Sequence, residues 1–118
     1  MIHRTPKLLA DLVAHAERIV AKRSEFADRA AFLSDDGAKD AVLYNFIVIG
    51  EVARRLGEPY QEAHPTIPWR AMIAQRDVIA HGYDAIDWEQ LSDTIDIDLP
   101  RLLAAARRLL AEFGPPPA

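Results

Sequence analysis

The sequence contains no cysteine. Disulfides, thiol nucleophiles and thiolate-bound zinc are thereby excluded, and the chain fits a reducing compartment, which sets the expectation of a cytoplasmic protein. A basic excess is missing too: fourteen Lys and Arg face eighteen Asp and Glu, a formal charge of −4. Domains that live on non-specific nucleic-acid binding carry the opposite balance. Any contact with nucleic acid must therefore be local, or arise where two subunits pool their arginines. No apolar run approaches the roughly 20 residues of a membrane span. The opening Met1-Ile2-His3-Arg4, followed by Pro6 and a charged amphipathic run, does not read as a signal peptide. Strand-like alternation, a P-loop, a G-x-G-x-x-G turn and internal repeats are all lacking. At 118 residues, half of them hydrophobic, the chain is one domain whose core is modest enough that dimerisation would help to bury surface.

What the sequence does contain is helix. Thr5 and Pro6 read as N-cap and first residue of a helix on which Leu8, Leu9, Leu12, Val13, Ala16, Ile19 and Val20 recur at intervals of three and four. His15 falls on its polar side and reads as a surface residue. Ser24 is expected to cap a short helix with Phe26 and Phe32 turned inward. After the turn cluster Ser34-Asp35-Asp36-Gly37, helix is expected from Ala38 to Leu56, stopping at Gly57. Its stripe of Val42, Phe46, Ile49 and Ala53, widened by Leu43, Ile47 and Leu56, is broad enough for burial on two sides. Gly50 within it costs about 1 kcal/mol and points to a close approach by a neighbouring helix. Asn45 lies among apolar residues and needs hydrogen-bond partners, either as an ordinary satisfied polar group or as support for a functional residue. Arg54 and Arg55 read as solvated.

A connector rich in proline (Pro59, Pro65, Pro68) leads to a helix beginning near Pro68-Trp69, with Tyr60 and His64 on a short helical turn before it. Beyond a loop at Tyr83-Asp84-Ala85-Ile86, Asp87 is a good N-cap, and Gln90 is placed to complete a loose capping box. Trp88, Leu91, Ile95, Leu99, Leu102, Leu103, Ala106 and Leu109 carry the core face of the last helical region, which Pro100 should kink or divide. Asp93, Asp96 and Asp98 lack the spacing and glycine of a calcium loop and read as a solvated face. Residues 114–118, Gly-Pro-Pro-Pro-Ala, are expected to be a disordered tail after a single domain spanning 1–113. The fold class is all-α, a bundle of four or five main helices running up and down.

The chemistry concentrates in Gln75-Arg76-Asp77-Val78-Ile79-Ala80-His81-Gly82-Tyr83-Asp84. Met72, Ile73, Ile79 and Ala80 give this stretch a core-facing stripe, and Gly82 is a plausible stop. Asp77 and His81 are four apart and share a face. Arg76 and His81 are five apart, about 140° around an ideal helix. The helix must therefore fray or tighten near His81, or a second chain must complete the site. The helix C-terminus and Asp77 would both raise the pKa of His81 toward a proton-transferring range. An arginine nearby can hold a phosphate through a bidentate fork. The set suits proton transfer at a phosphodiester and demands no metal or other cofactor. A capping histidine within a solvated ion-pair network remains the structural alternative.

The Arg76-x4-His81-x-Tyr83 spacing resembles the R-x-x-x-x-H-x-Y motif of HEPN-domain toxins of the HepT type. Asn45-Phe46-Ile47-Val48-Ile49-Gly50-Glu51-Val52-Ala53, His64-Pro65-Thr66-Ile67-Pro68-Trp69 and Asp98-Leu99-Pro100 resemble three further segments of that family, so the likeness runs from about Lys7 to Leu110. The resemblance implies a HEPN-type bundle that forms a homodimer and cuts RNA without a metal, with the motif arginine and histidine of both subunits lining one cleft. By that resemblance Arg76 and His81 are the catalytic pair and Asp77 and Asn45 their supports. Tyr83 is the residue to which a minimal nucleotidyltransferase (MNT) antitoxin attaches AMP. The alternative is a non-catalytic helical dimer that binds a nucleotide or a nucleotidyltransferase partner, with Arg76 as a phosphate clamp and His81 structural.

Overall fold

The computed structural model describes residues 4–115, and these form an all-α bundle without strands. Seven α-helices follow in order: α1 (Arg4–Ser24), α2 (Arg29–Leu33), α3 (Asp36–Leu56), α4 (Glu58–Ala63), α5 (Trp69–His81), α6 (Trp88–Asp93) and α7 (Leu99–Ala111). A 3-10 turn at Tyr83–Ala85 follows α5, and a π-turn at Thr94–Asp98 joins α6 to α7. Four of these helices are long, as the periodicity predicts. Residues 1–3 of the expected domain and 116–118 of the expected tail lie outside the described residues.

Helix α3 is the centre of the bundle. It packs against α1 on one side and α5 on the other, while α7 lies against α1. The broad stripe on α3 is thus satisfied within one chain, by two neighbours: Val42, Phe46, Ile49, Val52 and Ala53 are all buried. The face of α1 read from the sequence is buried from Leu8 to Ile19. Helix α5 leans mainly on α3 and has only Trp69, Met72 and Ile79 buried. The motif helix is therefore anchored along one edge, with the rest of its circumference toward solvent. Trp69 fixes its start, since the ring is buried and the indole N–H donates to the His64 carbonyl at 2.8 Å.

Several local expectations are corrected. Ser24 closes α1, its hydroxyl donating to the Ala21 carbonyl, and it is Asp28 that caps the short helix through the Ala31 N–H at 2.8 Å. Phe26 and Phe32 do meet edge to face, 5.8 Å apart. Helix α3 starts two residues earlier than expected, at Asp36, because Asp35 of the turn cluster supplies the cap by accepting from the Ala38 N–H. Asp87 caps α6 as expected, but Gln90 donates to Thr94 instead of closing a box. Pro100 is absorbed by the π-turn immediately before it: widening the helix there relieves the clash and the missing donor without breaking the axis. Asp93, Asp96 and Asp98 are exposed, as the solvated-face reading expects, but two of them also carry ion pairs: Arg29 reaches Asp93 at 3.0 Å and Asp96 at 3.1 Å, and Arg23 reaches Asp96 at 3.1 Å. These pairs tie α1 and α2 to the turn.

Candidate active site on the motif helix

Arg76 is held by a close contact between α5 and α3. Gly50 of α3 lies under it, and a Cβ built on that glycine would overlap the Arg76 Cβ and sit 2.8 Å from its Cγ and 3.1 Å from the Met72 carbonyl oxygen. The missing side chain is what lets α5 descend onto α3, so the glycine has the reason its helix cost requires. The aliphatic stem of Arg76 packs in that notch, and the side chain as a whole is 30% exposed.

Four charges from two helices meet at this exit. Arg76 Nε lies 3.2 Å from Glu51 Oε1, and Arg76 Nη1 lies 3.2 Å from Asp77 Oδ1. Arg54 Nη2 reaches the same Asp77 oxygen at 3.1 Å, and Arg54 Nη1 lies 3.6 Å from Glu51. The Nε contact is a charge contact rather than an aligned hydrogen bond, since Nε is buried without a partner of proper geometry. The Arg76 guanidinium, with Arg54 beside it, holds the Asp77 carboxyl below its ordinary range. Asp77 therefore pairs with the arginine: its carboxylate bonds to Arg76 and Arg54 rather than to His81, whose helix face it shares. Glu51 and Arg54 complete the network. Neither pairing is legible in the sequence, where Glu51 is one residue of the 45–53 segment and Arg54 reads as solvated. The signal lay in the Gly50 notch, which places the neighbouring Glu51 beside whatever residue packs there.

His81 is the last residue of α5 and is exposed, and α5 stays α-helical through it. Fraying is thus not what brings His81 toward Arg76. The two remain about 140° apart around the helix and about 7.5 Å apart along it. Gly82 then turns the chain at φ +143°, ψ +155°, an extended conformation open only to glycine and different from the left-handed stop expected. Tyr83 opens the 3-10 turn just beyond, 47% exposed, with its ring 5.7 Å from that of Trp88. Asn45 is buried, but its amide oxygen takes the His15 ring at 2.7 Å and its amide nitrogen donates to the Ala41 carbonyl. Within one chain it meets neither Arg76 nor His81, and His15 is half-buried rather than a free surface residue.

A cavity of about 440 Å³ opens beside α5, over Phe46, Ile49, Met72, Leu99 and Leu102. Neither Arg76 nor His81 lines it, so the chemistry-bearing residues stand on open surface rather than in a pocket for a small substrate. Among the described residues no group of three or more histidines and carboxylates is arranged to hold a metal ion, and no helix is long and apolar enough to cross a membrane.

Comparison with known proteins follows the same residues. A family model described as ribonuclease HepT-like matches residues 13–109. A protein of Thermococcus cleftensis described as a probable ribonuclease HepT is 33% identical over 78 residues, 66% of this chain and 71% of its own length. Two proteins of Methanocaldococcus jannaschii named as candidate RNases are 26% and 33% identical over 80% and 70% of this chain, and over 85% and 68% of their own lengths. No solved structure matches the chain significantly.

Proposed function

The chain belongs to the HepT-like ribonuclease family, and from that premise we propose that it is a metal-independent RNA endonuclease, the toxin half of a HEPN/MNT toxin–antitoxin pair. The single observation that carries the reading is the construction of Arg76: a notch at Gly50 and two carboxylates hold a guanidinium at the surface, one helix face away from an exposed His81. In a homodimer the arginine of one subunit faces the histidine of the other. Arg76 grips the scissile phosphate and offsets the charge that develops on it. His81 moves the proton of the ribose 2′-hydroxyl or of the leaving oxygen. RNA is cut and DNA is not, because only RNA carries the internal nucleophile.

Neutralisation falls to Tyr83, two residues past the histidine and 47% exposed. Transfer of AMP to its phenol by a minimal nucleotidyltransferase places a bulky anion next to His81 and within competition for the arginine. Cleavage of a labelled RNA tests the scheme. Arg76→Ala and His81→Ala each reduce the rate at least about 100-fold, the scale of a lost general acid–base or charge-stabilising group. Mixing the two variants restores part of it through hybrid dimers that carry one complete site. A His81→Ala protein that cuts as fast as the parent refutes the assignment. A parent that binds nucleotide through Arg76 and cuts nothing means the non-catalytic dimer instead.

A further inference from the structure

Lys39 is placed where neither solvation nor helix stability asks for a lysine. Of the three lysines in the chain, Lys7 and Lys22 have side chains 74% and 36% exposed, and Lys39 only 15%. It is the fourth residue of α3, near the end where the helix dipole disfavours a cation. Its one carboxylate partner, Asp36, stands 3.6 Å away and is itself 90% exposed. What covers it is aromatic: the ammonium lies 5.1 Å from the Trp88 ring centroid and 5.8 Å from that of Tyr83. The phenol of Tyr83 is the largest influence on this lysine and, with Asp36, holds its pKa above the ordinary value.

We propose that Lys39 is the cation that supports Tyr83 as a nucleophile, so that Lys39, Tyr83 and Trp88 form the acceptor half of a nucleotidyl-transfer site. The inference rests on the reading of Tyr83 as the point of AMP addition. In that step the phenolic oxygen bonds to the α-phosphorus of a nucleoside triphosphate, and the bond from that phosphorus to the bridging oxygen breaks. Pyrophosphate leaves with the electron pair, and the phenolic proton passes to solvent or to the transferring enzyme. Lys39 is already protonated and is no base. Its ammonium favours the negative charge gathering on the phenolic oxygen and afterwards faces the phosphodiester anion of the product. Trp88 holds the lysine in place from the ring face.

Two measurements test this. Tetranitromethane nitrates tyrosine through the phenolate, and this chain has no cysteine to consume the reagent. The isolated parent, Lys39→Met and Lys39→Arg are nitrated and mapped by peptide mass, with Tyr44 and Tyr60 as internal references. Lys39→Met slows nitration of Tyr83 about three- to tenfold, the scale of a nearby opposite charge at a half-exposed site. Lys39→Arg keeps the rate within about twofold, and the reference tyrosines do not change. A lysine that merely packs gives the opposite sign, because loosening exposes the ring and speeds nitration. Equal or faster Tyr83 nitration in Lys39→Met overturns the proposal. In the second measurement, a minimal nucleotidyltransferase with ATP modifies Lys39→Met more slowly at saturating ATP, with KM for ATP unchanged. Slowed nitration in Lys39→Met with no nucleotide on the parent under any condition refutes AMP addition and leaves the lysine's action on the phenol standing.

Discussion

Gly50→Ala puts the smallest side chain into the contact that builds the site, and its outcome follows from geometry. The new Cβ would sit 2.8 Å from Arg76 Cγ and 3.1 Å from the Met72 carbonyl, with Arg76 Cβ closer still. Carbon atoms rest at about 3.5–4.0 Å, so α5 has to withdraw by about 1 Å or more. The stem of Arg76 cannot swing clear, because its first carbon is the one struck. Overpacking of this kind costs about 1–3 kcal/mol, and the better helix propensity of alanine returns about 1 kcal/mol. The net loss is about 0–2 kcal/mol, toward the upper end because a backbone carbonyl is also struck. Cleavage suffers more than stability, since a displacement of about 1 Å in a positioning group costs on the order of 100-fold in rate. Urea denaturation and RNA cleavage, both at a temperature where the variant is folded, read the two effects separately. Gly37→Ala is the control: that glycine is exposed and its added Cβ would meet only Asp35 Oδ1 at 3.4 Å, so the change is neutral or slightly stabilising and leaves cleavage alone. A Gly50→Ala protein as stable and as active as Gly37→Ala would refute the claim that the notch sets the arginine.

Two further outcomes are expected. Asp77 has its carboxyl held below the ordinary value of 3.8 by Arg76 and Arg54. The folded state therefore gains from the charged form above that value and loses the gain as pH falls through the depressed one, so the urea midpoints of parent and Asp77→Asn, separate at neutrality, converge below about pH 4. A gap that stays constant down to pH 3 contradicts the pairing. Asn45→Ala leaves the half-buried His15 ring without its 2.7 Å partner and lowers stability by about 1–3 kcal/mol, while the folded protein cleaves RNA within about twofold of the parent. A stable Asn45→Ala protein with cleavage lost would return Asn45 to the site, through the second subunit.

The parts of this structure legible in the sequence are those set by local spacing. The stripes on α1, α3 and α7, the cap at Asp87, and the cost of Gly50 are each properties of a few neighbouring residues. The sequence positions of Arg76, His81 and Tyr83 were equally plain. What could not be read was pairing across the bundle. Asp77 was four residues from His81 and well placed for it, yet two guanidiniums, one from α3, offered its carboxylate more than one imidazole could. Asn45 demanded a partner, and only the packing of α1 on α3 names His15. The aspartates at 93 and 96 are exposed as read, but their pairing was not legible because the arginines that reach them lie more than sixty residues earlier.

The same cross-bundle pairing explains how an acidic chain can be a ribonuclease. Glu51 and Asp77 cancel Arg54 and Arg76, so the resting network is neutral and draws no phosphate from a distance. Its carboxylates, however, are 43% and 53% exposed, and exposed ion pairs are worth little, typically about 0–1 kcal/mol. A phosphate that presents two oxygens to a planar guanidinium displaces such a partner at small cost. In the proposed homodimer, affinity comes from shape and from a site assembled twice, not from a basic face. Arg76 and His81 stand on diverging faces of α5, so in that scheme each monomer supplies two half-sites. A twofold axis is the smallest symmetry that gives each half its complement from another copy. In the proposed dimer, an RNA phosphate in either site meets the arginine of one copy and the histidine of the other, and an AMP on Tyr83 adds its charge beside that histidine.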